Sequence, residues 1–162
     1  MKILFVCLGN ICRSPMAEGV MRNLIQEHNL DWEVESAGTE SYHVGECPDN
    51  RAKRTAAKYG LDISRQVAKQ ISSKDFEWFD LIYALATDVM DEILSLKGSI
   101  THRDKIKLFM DELFPGEYRD VPDPWYGDES GFDPVYHLIK QGCEKIIERH
   151  MASSQNYAVE KK

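Results

Sequence analysis

A single-domain α/β fold with a four-stranded parallel sheet is what this chain predicts, on three observations. Short unbroken apolar runs alternate with stretches of helical period, the pattern of strands joined by crossover helices. The runs Ile3-Leu4-Phe5-Val6 and Leu81 to Leu85 lack the polar alternation of a half-exposed strand and suit a sheet covered on both faces. The 162 residues are one domain's worth and contain no internal repeat.

The elements follow in order. The run ending at Val6 is the first strand. Behind it Ala17, Val20, Met21, Leu24 and Ile25 recur at helical spacing and make the stripe by which a first helix packs on the sheet. Ser14 is a natural N-cap for it and Pro15 a natural first helical residue. Trp32 to Ser36 reads as strand two, and Pro48 to Tyr59, closed by Gly60, as a helix with Ala52, Ala56 and Tyr59 inward. Leu81 to Leu85 is strand three, Val89 to Leu96 a helix, and Lys105 to Phe109 strand four. Asp133-Pro134 opens a long last helix carrying Val135, Leu138, Ile139, Cys143 and Ile146. Residues 1–152 are expected to form the domain and the polar stretch 153–162 a frayed tail. Right-handed crossovers and a strand order of 2-1-3-4, with helices on both faces, put the loop after strand one at the switch point, where such sheets bind ligands.

That loop carries the chemistry. Cys7-Leu8-Gly9-Asn10-Ile11-Cys12-Arg13-Ser14-Pro15 joins a potential thiolate, an anion cradle and a guanidinium between a strand and a helix. Backbone N–H groups at a helix start are aimed at an anion, and Arg13 offers a phosphate two parallel hydrogen bonds. The same helix end and cation favour the thiolate form of Cys7, hence a nucleophile at neutral pH. Gly9 permits close approach of backbone to a ligand, and Asn10 tolerates unusual φ and braces the loop. Zinc is the competing use of Cys7 and Cys12, but neither they nor Cys47, Cys143 and His102 show C-x2-C spacing, so no metal is expected.

From these residues the chain resembles the low-molecular-weight protein tyrosine phosphatases over about residues 2 to 150. The loop fits that family's signature, Ser36-Ala37-Gly38-Thr39 its second-strand segment, and Asp123-Pro124-Trp125-Tyr126 its acid loop. The resemblance implies a phosphatase-I-like fold and metal-free, cofactor-free hydrolysis of phosphotyrosine in proteins or peptides, with inorganic phosphate released. It implies Cys7 as nucleophile, Arg13 as phosphate clamp and Asp123 as general acid, with Asn10 and Ser14 bracing loop and thiolate. The phosphate cradle would be Leu8 to Ser14. Asp123 lies in a Pro- and Gly-rich stretch that can only be a loop, and an acid there suits the chemistry, because a phenolate leaves far more easily with a proton delivered to it. Asp120, Asp128 and Glu129 read as solvated loop charges.

The resemblance also implies aromatic pocket walls, and Tyr42, Trp125 and Tyr126 occupy the matching places. A phosphoserine would be too short to reach Cys7 between such walls. Ile11 stands where related phosphoarginine phosphatases usually have Thr, which favours phosphotyrosine, with phosphoarginine and a phosphate-binding module of little turnover as alternatives. A thiol arsenate reductase would need a further cysteine pair near strand three, and residues 70 to 100 contain no Cys. Cys12 is placed to capture an oxidised Cys7 as a disulfide, while Cys47 and Cys143 read as structural. The chain departs from the family's pattern in three places: Gln66 and Lys69 stand at the usual His and Arg positions and Ala86 at a usual Asp. Gln66 can still donate and accept a hydrogen bond, which leaves bracing of Asn10 open to it, and such losses would be expected to lower the rate rather than change the reaction.

Net charge of −7 argues against broad nucleic-acid affinity. Arg51, Lys53, Arg54 and Lys58 make the second helix basic, either a solvated face or a surface for acids flanking a phosphotyrosine. With no signal-peptide shape after Met1 and no stretch of membrane-spanning length, a cytoplasmic monomer without membrane insertion is expected, in a compartment that keeps thiols reduced.

Overall fold

The computed structural model describes residues 1–161. Strands β1 (Lys2–Cys7), β2 (Glu33–Gly38), β3 (Leu81–Ala84) and β4 (Ile106–Leu108) form one parallel sheet in the order β2-β1-β3-β4. This is the predicted order, with β1 in the centre. Its residues alternate between two cores: Ile3 and Phe5 pack with helices α1 (Arg13–Glu27), α2 (Asn50–Lys58) and α5 (Phe132–Glu160), while Leu4 and Val6 pack with α3 (Ser73–Trp78) and α4 (Thr87–Ser95). An unbroken apolar run was required because both faces are covered.

The predicted stripe of α1, from Ala17 to Ile25, is buried throughout. On the same side Phe5 stacks on Tyr83 at 5.8 Å and meets Phe109 edge-on at 5.8 Å. Most boundaries shift by one or two residues from expectation, and four differences bear on the site or the packing. β2 runs on to Gly38, because Ala37 and Gly38 stay paired with Val6 and Cys7. α2 begins only at Asn50, where the Asp49 carboxylate accepts the Arg51 N–H at 2.8 Å, a side-chain cap that Pro48 precedes. Ser14 is not the cap of α1: the helix starts at Arg13, and the Ser14 hydroxyl faces Cys7 and Asn10 instead. Finally, α5 continues to Glu160, so the stretch read as a frayed tail is helical to that point. It contains no Gly or Pro to stop a helix, and its side chains as far as Glu160 are exposed, while Lys162 at the end of the expected tail lies outside the described residues. α3 was not predicted, although its entry, where the Asp75 carboxylate accepts the Ser72 N–H at 2.9 Å, follows a Ser-x-x-Asp pattern.

Candidate active site

The site lies at the carboxyl end of β1, where the strand order reverses between β2 and β3. Cys7 is the last residue of β1 and Arg13 the first of α1, so a short loop turns from strand into helix. Asn10 makes that turn at φ 57°, a left-handed conformation that Asn adopts more readily than most residues. Its side chain then serves three segments: Nδ2 donates to Ser14 Oγ at 2.8 Å and to Ser36 Oγ at 2.9 Å, and Oδ1 accepts the Lys69 N–H at 3.0 Å. Gly38 is required beside it, since a Cβ there would lie 2.6 Å from the Leu8 carbonyl oxygen.

The Cys7 sulfur accepts the Asn10 N–H at 3.3 Å and lies 3.0 Å from Ser14 Oγ. Ser14 Oγ accepts from Asn10, and its single proton has two acceptors in reach, the Cys7 sulfur at 3.0 Å and the Ala37 carbonyl at 3.4 Å. Arg13 is buried, and its Nη1 donates to the Val121 carbonyl at 3.1 Å while Nη2 stands 3.6 Å from Asp123 Oδ2. Asp123 accepts the Trp125 N–H at 3.0 Å through Oδ1, which fixes its carboxylate at the start of a helical turn over Pro124–Tyr126. Loop and acid thus face one cavity of about 120 Å³, lined by Cys7, Leu8, Gly9, Ile11, Cys12, Arg13, Glu40, His43, Asp123, Trp125 and Tyr126. A larger groove of about 600 Å³ lies between α1 and the segment around Gln66, but it contains none of Cys7, Arg13 or Asp123 and is not the reacting site.

The structure brings together Cys7, Arg13, Asp123, Ile11, Cys12, Trp125 and Tyr126. It does not bring Tyr42, which is 83% exposed and outside the cavity lining. His43 and Glu40 line the wall instead, His43 lying against Gly9, 6.0 Å from the Trp125 ring and 2.8 Å from a Glu46 carboxylate oxygen. Neither was singled out from sequence. Their loop offers Glu40, Tyr42 and His43 together, and only the backbone path decides which faces inward.

Cys12 is buried, and burial, with Asp49, Cys7 and Asp123 adding their negative charge, pushes its thiol well above the ordinary range. It stays protonated beside the loop. Cys143 is fully buried, as expected of a packing residue, whereas Cys47 is exposed, contrary to the structural role read for it.

Gln66 does not brace Asn10. Its Nε2 donates to the Pro15 carbonyl at 3.0 Å, and the Lys69 backbone takes the Asn10 oxygen, while Lys69 Nζ pairs with Glu35 at 2.8 Å. Nor are the three acidic loop residues merely solvated. Asp120 accepts the Thr87 N–H at 2.7 Å, Asp128 the Ser130 N–H at 3.0 Å, and Glu129 pairs with Arg54 at 2.6 Å. On the basic helix Arg51, Arg54 and Lys58 are held by Asp49, Glu129 and Asp133, so most of its charge is neutralised within the fold.

A parallel α/β sheet with a cysteine-to-arginine cradle at its switch point, and a carboxylate facing it, defines the class of protein. The sequence model of the family described as low molecular weight phosphotyrosine protein phosphatase matches residues 2–156, and the chain belongs to that family of hydrolases. The human low molecular weight phosphotyrosine protein phosphatase is 36% identical over 150 residues, covering 91% of this chain and 94% of that one. Among solved structures, a protein tyrosine phosphatase from Entamoeba histolytica with Hepes in its active site superposes with a TM-score of 0.87 at 38% identity, over 95% of this chain and 99% of that one. A Drosophila arginine phosphatase superposes with a TM-score of 0.84 at 33% identity, over 93% and 98%.

Proposed function

We propose that the protein hydrolyses phosphotyrosine in proteins or peptides through a phosphocysteine. The observation that carries this reading is the convergence of Cys7, Arg13 and Asp123 on one small cavity. In the first step the Cys7 sulfur forms a bond to phosphorus while the bond from phosphorus to the phenolic oxygen breaks, and Asp123 delivers its proton to that oxygen. Arg13 and the loop N–H groups hold the three non-bridging oxygens as charge spreads over them. In the second step water attacks phosphorus, its proton passes to the Asp123 carboxylate, and the sulfur leaves with the electron pair of its bond. Inorganic phosphate departs and the enzyme is restored.

Ile11, Trp125 and Tyr126 support an aryl ester, offering apolar and aromatic surface to a phenyl ring. A single observation favours phosphoarginine as a second reading: Glu40 lines the wall, where its carboxylate would accept guanidinium N–H groups. Cys12, a neutral thiol lining the same cavity, would trap a Cys7 sulfenic acid as a disulfide with loss of water, and its reversal needs a cellular thiol. Four free cysteines suit a reducing, cytoplasmic setting, and the proposed enzyme is a monomer acting on phosphoproteins. Among the described residues no helix is long and apolar enough to cross a membrane.

The test is phosphate release from phosphotyrosine, phosphoserine and phosphoarginine under excess chelator, for wild type and Cys7→Ser. Fast release from phosphotyrosine, abolished in Cys7→Ser, is expected. Preference for phosphoarginine would select the second reading, and phosphate binding without turnover would leave a binding module.

A further inference from the structure

Arg51 ties together the three segments that meet at the cavity. It stands in the first turn of α2, and its guanidinium forks onto Asp49, Nε to Oδ1 at 3.0 Å and Nη2 to Oδ2 at 3.1 Å. Asp49 is in turn bound to the phosphate loop, its N–H donating to the Ile11 carbonyl at 2.8 Å. The remaining nitrogen, Nη1, crosses to the acid loop and donates to the carbonyls of Trp125 at 3.2 Å and Gly127 at 3.5 Å. The cation also lies 5.2 Å from the centre of the Trp125 ring and 4.9 Å from that of Phe132.

Asp123 lies between two anchors. On one side Val121 is held by its N–H donating to the Leu85 carbonyl at 2.8 Å and by its own carbonyl accepting from Arg13 at 3.1 Å. On the other side, among the described residues, the hydrogen bonds that reach Trp125 to Gly127 from outside the loop both come from Arg51. Trp125 passes that restraint on, since its N–H holds the Asp123 carboxylate.

We infer that Arg51 is a positioning residue for the acid: the fork from Asp49 to the Trp125 carbonyl sets where the Asp123 carboxyl stands relative to the phosphate loop. The inference rests on the hydrolytic role proposed above. A lysine cannot replace it, because one point charge does not bind a carboxylate side-on and a carbonyl beyond it at once. The role is specific to the proton delivered to the leaving group. Cys7 is held by Asn10 and Ser14, whereas the Arg51 guanidinium donates to Asp49 and to the acid loop.

The test is kcat/KM over a series of aryl phosphates, from dinitrophenyl phosphate, whose leaving group needs no proton, to phenyl phosphate, whose phenol has a pKa of about 10. Arg51→Met is expected to lose about 10- to 100-fold on phenyl phosphate, the scale of a misplaced catalytic group, and less than about 3-fold on the dinitrophenyl ester, where no general acid is needed. Arg51→Lys should behave like Arg51→Met, and inhibition by inorganic phosphate should be unchanged in both, which also reports an intact loop. Equal loss on every ester, or no loss on phenyl phosphate, would overturn the inference. Amide exchange at Trp125, measured without any substrate, should rise in both variants; unchanged exchange overturns the clamp even if wild type hydrolyses nothing, whereas an inactive wild type with faster exchange in the variants overturns only the proposed function.

Discussion

Removing the Asn10 side chain tests the architecture of the phosphate loop at its most connected point. Asn10→Ala deletes three hydrogen bonds, to Ser14, Ser36 and from the Lys69 N–H, in a residue that is 3% exposed. At a net value of about 1 kcal/mol each they amount to about 3 kcal/mol, with the stranded Lys69 N–H at the upper end of that scale. Alanine at φ 57° adds about 1 kcal/mol of backbone strain that asparagine partly avoids. The expected loss is about 4 kcal/mol, or about 8 to 16 °C in Tm for a domain of this size. Asn10→Gly separates the contributions: glycine is at ease at this φ, so it should recover about 1 kcal/mol while the lost hydrogen bonds remain lost. Urea unfolding of wild type and both variants, with phosphate inhibition as a check on the loop, measures this. A loss below about 1 kcal/mol in Asn10→Ala, or a glycine variant no better than alanine, would refute the reasoning.

Three further outcomes follow from the same geometry. Asp123→Asn keeps an acceptor for the Trp125 N–H but carries no proton to donate, so turnover of phenyl phosphate should fall by about 10²- to 10⁴-fold with phosphate affinity retained; a smaller fall in single-turnover assays would remove Asp123 from the acid role. Gly38→Ala drives a methyl group to 2.6 Å from the Leu8 carbonyl, backbone that cannot swing aside, and should cost about 1–3 kcal/mol in urea unfolding together with phosphate affinity. Burial works against the Asp49 carboxylate, but hydrogen bonds from Arg51 and Ala52 outweigh it and hold the carboxyl below its ordinary 3.8. Because the folded value is the lower one, this stabilisation is present above about pH 3.8 and is lost as pH falls through the folded value; acid unfolding of Asp49→Asn should be less steep there than that of wild type.

The sheet was legible because its strands are buried on both faces, and burial leaves the plainest mark a sequence can carry. The stripe of α1 follows from that patterning, whereas the order 2-1-3-4 is one of several that right-handed crossovers allow and is the one that sets a switch point after β1. Loops follow no such period, and there the reading was weakest. Trp125 reaches the cavity because Asp123 and Pro124 start a helical turn, a local signal, whereas Tyr42 and His43 sit in a segment whose direction is set by distant carbonyls, Ala68 accepting from Gly45 and Glu46 from Ala68. Their sequence neighbourhood contains nothing that chooses between the two rings. The charged loop residues are exposed, as the sequence suggests, but their partners were hidden for a related reason. Asp120 and Glu129 act on Thr87 and Arg54, partners 33 and 75 residues away, which become neighbours only when α2 and α4 have docked.

The same distinction bears on the positions where the family's usual His and Arg are replaced. A side chain that braced Asn10 directly would make the loop depend on residue 66, and Gln66 would then be a defect. Here the Asn10 oxygen is held by the Lys69 N–H, which every residue but proline supplies. That N–H is itself placed by backbone pairing: the Lys69 carbonyl accepts from Gly38 at 2.8 Å, and Ile71 returns a bond to the Gly38 carbonyl at 2.8 Å. The segment meets the end of β2 in one parallel bridge, Gly38 opposite Gln70, and that bridge places the Lys69 N–H against Asn10. The Lys69 side chain is left to pair with Glu35 and the Gln66 amide to hold the start of α1 through Pro15. At Ala86, the N-cap of α4, the first N–H of the helix is taken by Asp120 from a neighbouring loop. At both places the hydrogen bond seen here is made by main chain or by another element, so neither the Asn10 oxygen nor the first N–H of α4 depends on the side chain of residue 66 or 86.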